Sequence, residues 1–124
     1  MLFEEVTKEI IGAAYRVYNK MGFGYLEKVY EKCMLIELKK NEILDVKYQC
    51  PLKVEYEGND VGDYLADFVV NGDIIIELKS VRNLLPVHEV QVVNYLHASG
   101  TDLGLLINFG EKKVDIRRKV RILP

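Results

Sequence analysis

The run Ile74-Ile75-Ile76-Glu77-Leu78-Lys79 is the feature that most restricts what this chain can fold into. Three isoleucines followed by leucine announce a strand buried in the middle of a sheet. Glu77 and Lys79 are out of place there, because a charge on a buried strand is costly unless it is paired or holds a metal. Residues two apart share one face of a strand, so Glu77 and Lys79 point one way while Ile74, Ile76 and Leu78 point the other.

A hairpin leads into this strand. Residues 61–70 read as its first arm, and Asn71-Gly72 as the turn into residues 73–79. The register decides where Asp67 lies. A two-residue loop at 71–72 opposes Asp67 to Ile76 and places it on the face away from Glu77. A three-residue loop at 70–72, with Gly72 left-handed, opposes Asp67 to Ile75 and unites Asp67, Glu77 and Lys79. The apolar phase agrees with the second register, since Ala66 and Phe68 then share a face with Ile74, Ile76 and Leu78. Two carboxylates and an ammonium on one face suit a hard divalent cation, Mg²⁺ or Mn²⁺. The competing account is a Glu77–Lys79 ion pair with Asp67 in a solvated hairpin, and spacing alone leaves both open.

Around this segment the periods predict an α/β chain. Val6, Ile10, Ala13, Ala14, Val17 and Met21 give a helix over residues 2–20. Met21-Gly-Phe-Gly24 breaks it, with Gly24 shaping the turn, and a second helix runs over 25–40. From Val46 the period becomes two, with Val46, Tyr48, Cys50, Leu52, Val54 and Tyr56 in alternation; Pro51 places that strand at an edge or a bulge. Residues 87–99 are helical by pattern, and 103–109 form a nearly continuous apolar run, a buried strand expected to lie parallel to the one before the helix. A last strand follows, with Val114, Ile116, Val120 and Ile122 in one phase. With no linker or repeat, residues 1–124 read as a single domain.

Seventeen basic against nineteen acidic side chains leave a formal net charge of −2, which argues against tight binding of duplex DNA by surface charge alone. Residues 112–121 nevertheless hold six basic side chains and one acidic one, which reads equally as a phosphate-contacting stripe or as protection of an edge strand. Cys33 and Cys50 lack metal or disulfide spacing and read as reduced core thiols. The N-terminus has no leader pattern and no run is long enough to span a membrane, so a cytoplasmic protein is expected.

Asp67 followed by Glu77-Leu-Lys79, on a hairpin between an N-terminal helix and a crossover helix, resembles the core of the PD-(D/E)xK nuclease superfamily, with Ala66 where proline often stands. Within it the chain is similar to the GxxExxY protein family, whose motif is present as Gly24-Tyr-Leu-Glu27-Lys-Val-Tyr30. The likeness extends through residues 64–79, 91–96 and 104–110. It implies a restriction-endonuclease-like fold and Mg²⁺- or Mn²⁺-dependent hydrolysis of nucleic acid, DNA ahead of RNA. The implied ligands are Asp67, Glu77, the Leu78 carbonyl and Glu27, with Lys79 acting on water or on the transition state. Tyr30 is expected between helix and sheet with its hydroxyl available to the site. Gln91 and Tyr95, four apart on one helix face, resemble the Q-x-x-x-Y motif that helps place DNA; His88, one turn earlier, reads as a helix-terminal or surface histidine. The principal alternative is a non-catalytic nucleic-acid-binding or assembly module on the same fold. With so little positive charge, binding is expected to be weak, metal-dependent and salt-sensitive, with help from a homodimer mate or partner protein.

Overall fold

The computed structural model describes residues 3–121. Ile10, Ala13, Ala14 and Val17 form the buried stripe of α1 (Glu4–Met21), and Tyr30, Met34 and Leu38 that of α2 (Glu27–Lys39). Between them Gly22 and Gly24 hold φ of 70° and 114°, values glycine adopts without a Cβ penalty, and the chain reverses there. Leu2, the expected start of the first helix, lies outside the described residues. The second helix starts two residues later than expected, because Leu26 is still extended.

Five strands form one sheet in the order β1 (Val46–Tyr56), β2 (Asn59–Val70), β3 (Ile74–Lys79), β4 (Leu103–Phe109), β5 (Val114–Val120). Only β3 and β4 are parallel, joined through the crossover helix α3 (Pro86–Ser99). This is the expected mixed sheet, with β1 and its Pro51 at one edge and β5 at the other. Ile122, expected to continue the last strand, lies outside the described residues. Helices α1 and α2 cover one face over Phe68, Val70, Ile76, Leu105, Ile107 and Phe109. Tyr95 and Leu96 of α3 cover the other over Leu52, Ala66, Val69 and Ile75. The fold is α/β and restriction-endonuclease-like, a mixed sheet between helices.

Two local expectations change. The β2–β3 loop is residues 71–73, since Val70 pairs with Ile74 and Asp73 N donates to Val70 O at 3.0 Å. Val70 is fully buried and stays in the strand, while Asn71 and Gly72 carry the left-handed turn with φ of 55° and 69°. Continuing the ladder by one pair sets Asp67 opposite Glu77, not Ile75. The displacement is two residues, which would keep the face of a regular ladder, but β2 changes sides at Asp67: Phe68 packs toward α1 and α2 while Ala66 packs with Ile75 toward α3, so Ala66 does not share the face of Phe68, Ile74, Ile76 and Leu78 as expected. The alternation expected along β1 also breaks at Gln49, which is left-handed with φ 54°. Tyr48 packs toward α2's side, whereas Cys50, two residues on, packs with Leu52 and Tyr95 on the opposite side.

Gly104 sets how closely α3 approaches the sheet: a Cβ there would lie 2.7 Å from Val92 Cγ1 and 3.3 Å from Leu96 Cδ2. Gly104→Ala is expected to cost about 1–3 kcal/mol by overpacking, measured by urea unfolding. Gly62→Ala, where a Cβ meets nothing within 4 Å, should shift stability by less than about 0.5 kcal/mol.

Candidate active site

Beyond the Phe68–Ile76 pair the β2–β3 ladder stops, and two carboxylates take over its hydrogen bonds. Asp67 N donates to Glu77 Oε1 at 3.0 Å, and Leu78 N donates to Asp67 Oδ2 at 2.8 Å. Both acids are buried, at 7% and 4% exposure. Each commits one oxygen to a backbone amide, which fixes its rotamer and leaves the second oxygen for another ligand. Leu78 is thus tied to the site through its amide.

From α2, Glu27 and Glu31 reach the same point. Carboxylate oxygens of Glu27, Glu31 and Asp67 lie within 4.8 Å of one another. At that separation, full charges at an effective dielectric constant of about 20 would repel by on the order of 3 kcal/mol per pair, a repulsion that retained protons or a bound cation would relieve. Glu31 was not anticipated. Its Oε1 accepts from Gln49 Nε2 at 2.6 Å, Tyr48 Oη at 3.0 Å and Lys28 Nζ at 3.2 Å, and it is 4% exposed. The available signal was the i,i+4 spacing of Glu27 and Glu31, a like-charge pair that destabilises a helix unless something offsets it.

On the other side a groove of about 410 Å³ is lined by Lys79, His88, Gln91 and Tyr95. The Lys79 side chain makes no hydrogen bond or ion pair with any described residue, yet its charge acts on Glu27, Asp67 and Glu77. The ion pair between Glu77 and Lys79, one of the two sequence readings, is not formed. Gln91 and Tyr95 share this groove, as their spacing suggested. His88 is both helix-terminal and groove-lining, with Nδ1 accepting from Leu85 N at 2.9 Å.

Tyr30 departs from expectation. It packs between helix and sheet, stacked on Phe109 at 4.4 Å, but its hydroxyl donates to the Gly22 carbonyl and is not directed at the carboxylates. It holds the turn that launches α2, which makes it a positioning residue for Glu27. The basic last strand is also largely committed: Lys119 pairs with Glu89 at 2.6 Å, Arg117 with Asp115 and Glu89, and Arg121 with Asp102.

Burial dominates the acidities. Desolvation pushes the Glu77 carboxyl up to about 9, with the neighbouring Asp67 adding to the effect, and pushes Asp67 up to about 6 against the Leu78 amide, which favours its charged form. Desolvation raises Glu27 as well, opposed first by Lys79. Tyr95 is pushed up to about 12 by burial and then by Glu77 and Asp67, so its hydroxyl remains a proton donor.

The family model of the PD-(D/E)XK nuclease superfamily matches residues 4–119. The chain belongs to that superfamily. No curated protein matches it. The crystal structure of SSO0001 is similar with a TM-score of 0.64 and 20% identity, over 98% of this chain and 61% of that one, a likeness of fold. This chain therefore spans about three-fifths of the length of that relative. Nucleases of the superfamily usually use divalent metals, and the oxygen-only cluster of Glu27, Glu31 and Asp67 fits such an ion, with Glu77 joined to it through the Asp67 amide. Among the described residues no helix is long and apolar enough to cross a membrane.

In metal-free protein, carboxyl pKa values raised by folding mean that the folded state holds more protons than the unfolded one between about pH 4.5 and about pH 9. The stability contributed by these acids is therefore full at low pH and falls as pH rises through that window. Thermal unfolding in EDTA should show this decline, and excess Mg²⁺ or Mn²⁺ should reverse it. Glu77→Gln should flatten both responses. Tyr30→Phe should cost about 1 kcal/mol in urea unfolding through loss of the Gly22 hydrogen bond.

Proposed function

We propose that the protein is a Mg²⁺- or Mn²⁺-dependent nuclease that hydrolyses phosphodiester bonds in DNA, folded as a single domain over residues 1–124 and belonging to the GxxExxY family within the superfamily. The observation that carries this reading is the setting of Lys79. It stands in the groove beside three carboxylates without pairing to any described residue, which suits a group reserved for substrate. The spacing of Gly24, Glu27 and Tyr30 also acquires a physical sense. Tyr30 ties the Gly22 turn to the core, and Glu27, in the first turn of α2, is thereby aimed at Asp67.

Asp67, Glu77, the Leu78 carbonyl and Glu27 would hold the ion, with Glu31 steadying Gln49 and Tyr48 around them or adding a further oxygen. When bound, a divalent ion stabilises negative charge on the phosphoryl oxygens. Lys79 orients the attacking water or neutralises charge developing in the transition state. Gln91 positions the substrate from α3, and the Tyr95 hydroxyl, held protonated, donates to it. The preference for DNA over RNA rests on the likeness of Gln91 and Tyr95 to the Q-x-x-x-Y motif. A second subunit or a partner protein supplies the affinity that the modest positive charge does not.

Cleavage assays on single-stranded, nicked and branched DNA and on RNA test the proposal. Wild type should cut DNA only with Mg²⁺ or Mn²⁺, and Asp67→Ala and Lys79→Ala should each lose about 100-fold or more while unfolding cooperatively. Absence of cleavage on every substrate, or equal cleavage by all three proteins, would overturn it.

A further inference from the structure

We infer that DNA reaches the carboxylates as a single strand, laid in a groove between α3 and the arm formed by β1 and β2, with a base stacked on Tyr64. The inference rests on the proposed nuclease reading and adds the form of its substrate. The β2–β3 ladder ends at Phe68, so most of β2 pairs with β1 alone and the two strands project as an arm. The groove beside Lys79 and Gln91 is bounded by Tyr64 and Asn94. A larger one, about 910 Å³, runs along the arm with Lys53 and His97 in its walls, and it is lined by the same Tyr64 and Asn94. The two grooves thus adjoin at Tyr64 and Asn94, with Lys79 on the far side of one of them.

Tyr64 stands where they join. Its ring tilts against Tyr95 with centroids 4.9 Å apart. Tyr95 is 5% exposed and backs it from the core, while Tyr64 is 43% exposed and presents surface to the grooves. An aromatic ring braced in this way is a stacking platform, and base stacking tolerates any sequence because every base has a π face.

The charge pattern favours a strand over a duplex. A duplex presents phosphates and is held chiefly by cations. Of the cations along these grooves, Lys53 already faces Asp60 at 3.9 Å, and Glu55 lines the same wall. What the grooves offer is the ring of Tyr64, the amides of Gln91 and Asn94 and the imidazole of His97. These match the faces and edges of unpaired bases, which a duplex buries in its own stack.

The chain contains no tryptophan, so Tyr64→Trp introduces a unique fluorophore at the junction. With Mg²⁺ present, in a Lys79→Ala background that slows cleavage, its emission should be quenched by oligothymidylate and left unchanged by a duplex of equal length. In anisotropy titrations with labelled single strand, Tyr64→Ala should bind about tenfold more weakly and Tyr64→Phe as wild type. Equal quenching by duplex, or wild-type affinity in a folded Tyr64→Ala protein, would overturn the inference. The two proposals fail separately. Quenching with no cleavage under any metal sinks the nuclease reading and keeps the strand path; Lys79-dependent cleavage without quenching sinks the path alone.

Discussion

Everything at this site depends on the exchange of hydrogen bonds between Asp67 and the strand that carries Glu77. A buried amide left without an acceptor costs about 1–3 kcal/mol. Here the amides of Asp67 and Leu78 are satisfied by carboxylates, so the ladder opens without that cost. The opening brings the two sides of the sheet together. Glu27 and Glu31 arrive from α2, while Lys79, Gln91 and Tyr95 stand toward α3, and the acidity of Tyr95 registers the charges of Glu77, Asp67 and Glu27. Gln49 completes the gap on the neighbouring strand. Its left-handed backbone lets β1 change sides, and its amide secures Glu31.

The hydrophobic core reaches the site through one ring. Tyr30 is fully buried and lies nearly parallel to Phe109, with an interplanar angle of 5°, while its hydroxyl fixes the Gly22 carbonyl. Phe109 ends β4, the strand paired in parallel with β3. The turn before α2 is thus referenced to the strand beside Glu77, and the distance from Glu27 to Asp67 is set by packing instead of by contact between the acids themselves. Such an arrangement is required of like charges, which have no attraction of their own to hold them close.

Most of the layer order was legible because it follows from period. The isoleucine run identified the central strand, and the choice of a longer hairpin loop brought Asp67 to the strand of Glu77, although the loop lies one residue further along than expected and the apolar phase that favoured it fails at Ala66, which faces α3 while Phe68 faces α1 and α2. What escaped was decided by non-local or single-residue geometry. Gln49 leaves no mark in a period-two pattern, since Tyr48 and Cys50 are both apolar whichever side they face. Glu31 looks like one more helix-surface acid until Gln49 and Tyr48 are seen to meet it. The partners of the basic last strand, Glu89 and Asp102, come from α3 and from the turn before β4, and no spacing within the strand predicts them.

Those partners bear on how a mildly acidic chain handles a polyanion. Lys119 and Arg117 pair with Glu89 and Arg121 with Asp102, so half of the six basic side chains of residues 112–121 fasten the end of the chain to α3 and to the turn before β4. On the proposed reading, affinity for nucleic acid would draw on other groups as well. A divalent ion among Glu27, Asp67 and Glu77 would convert the most repulsive point of the surface into one that attracts phosphate, and an aromatic contact such as Tyr64 adds affinity without charge. Both sources would operate beside Lys79. Recognition and chemistry would therefore depend on the same opened hairpin, which ties metal loading and strand placement to a single structural irregularity.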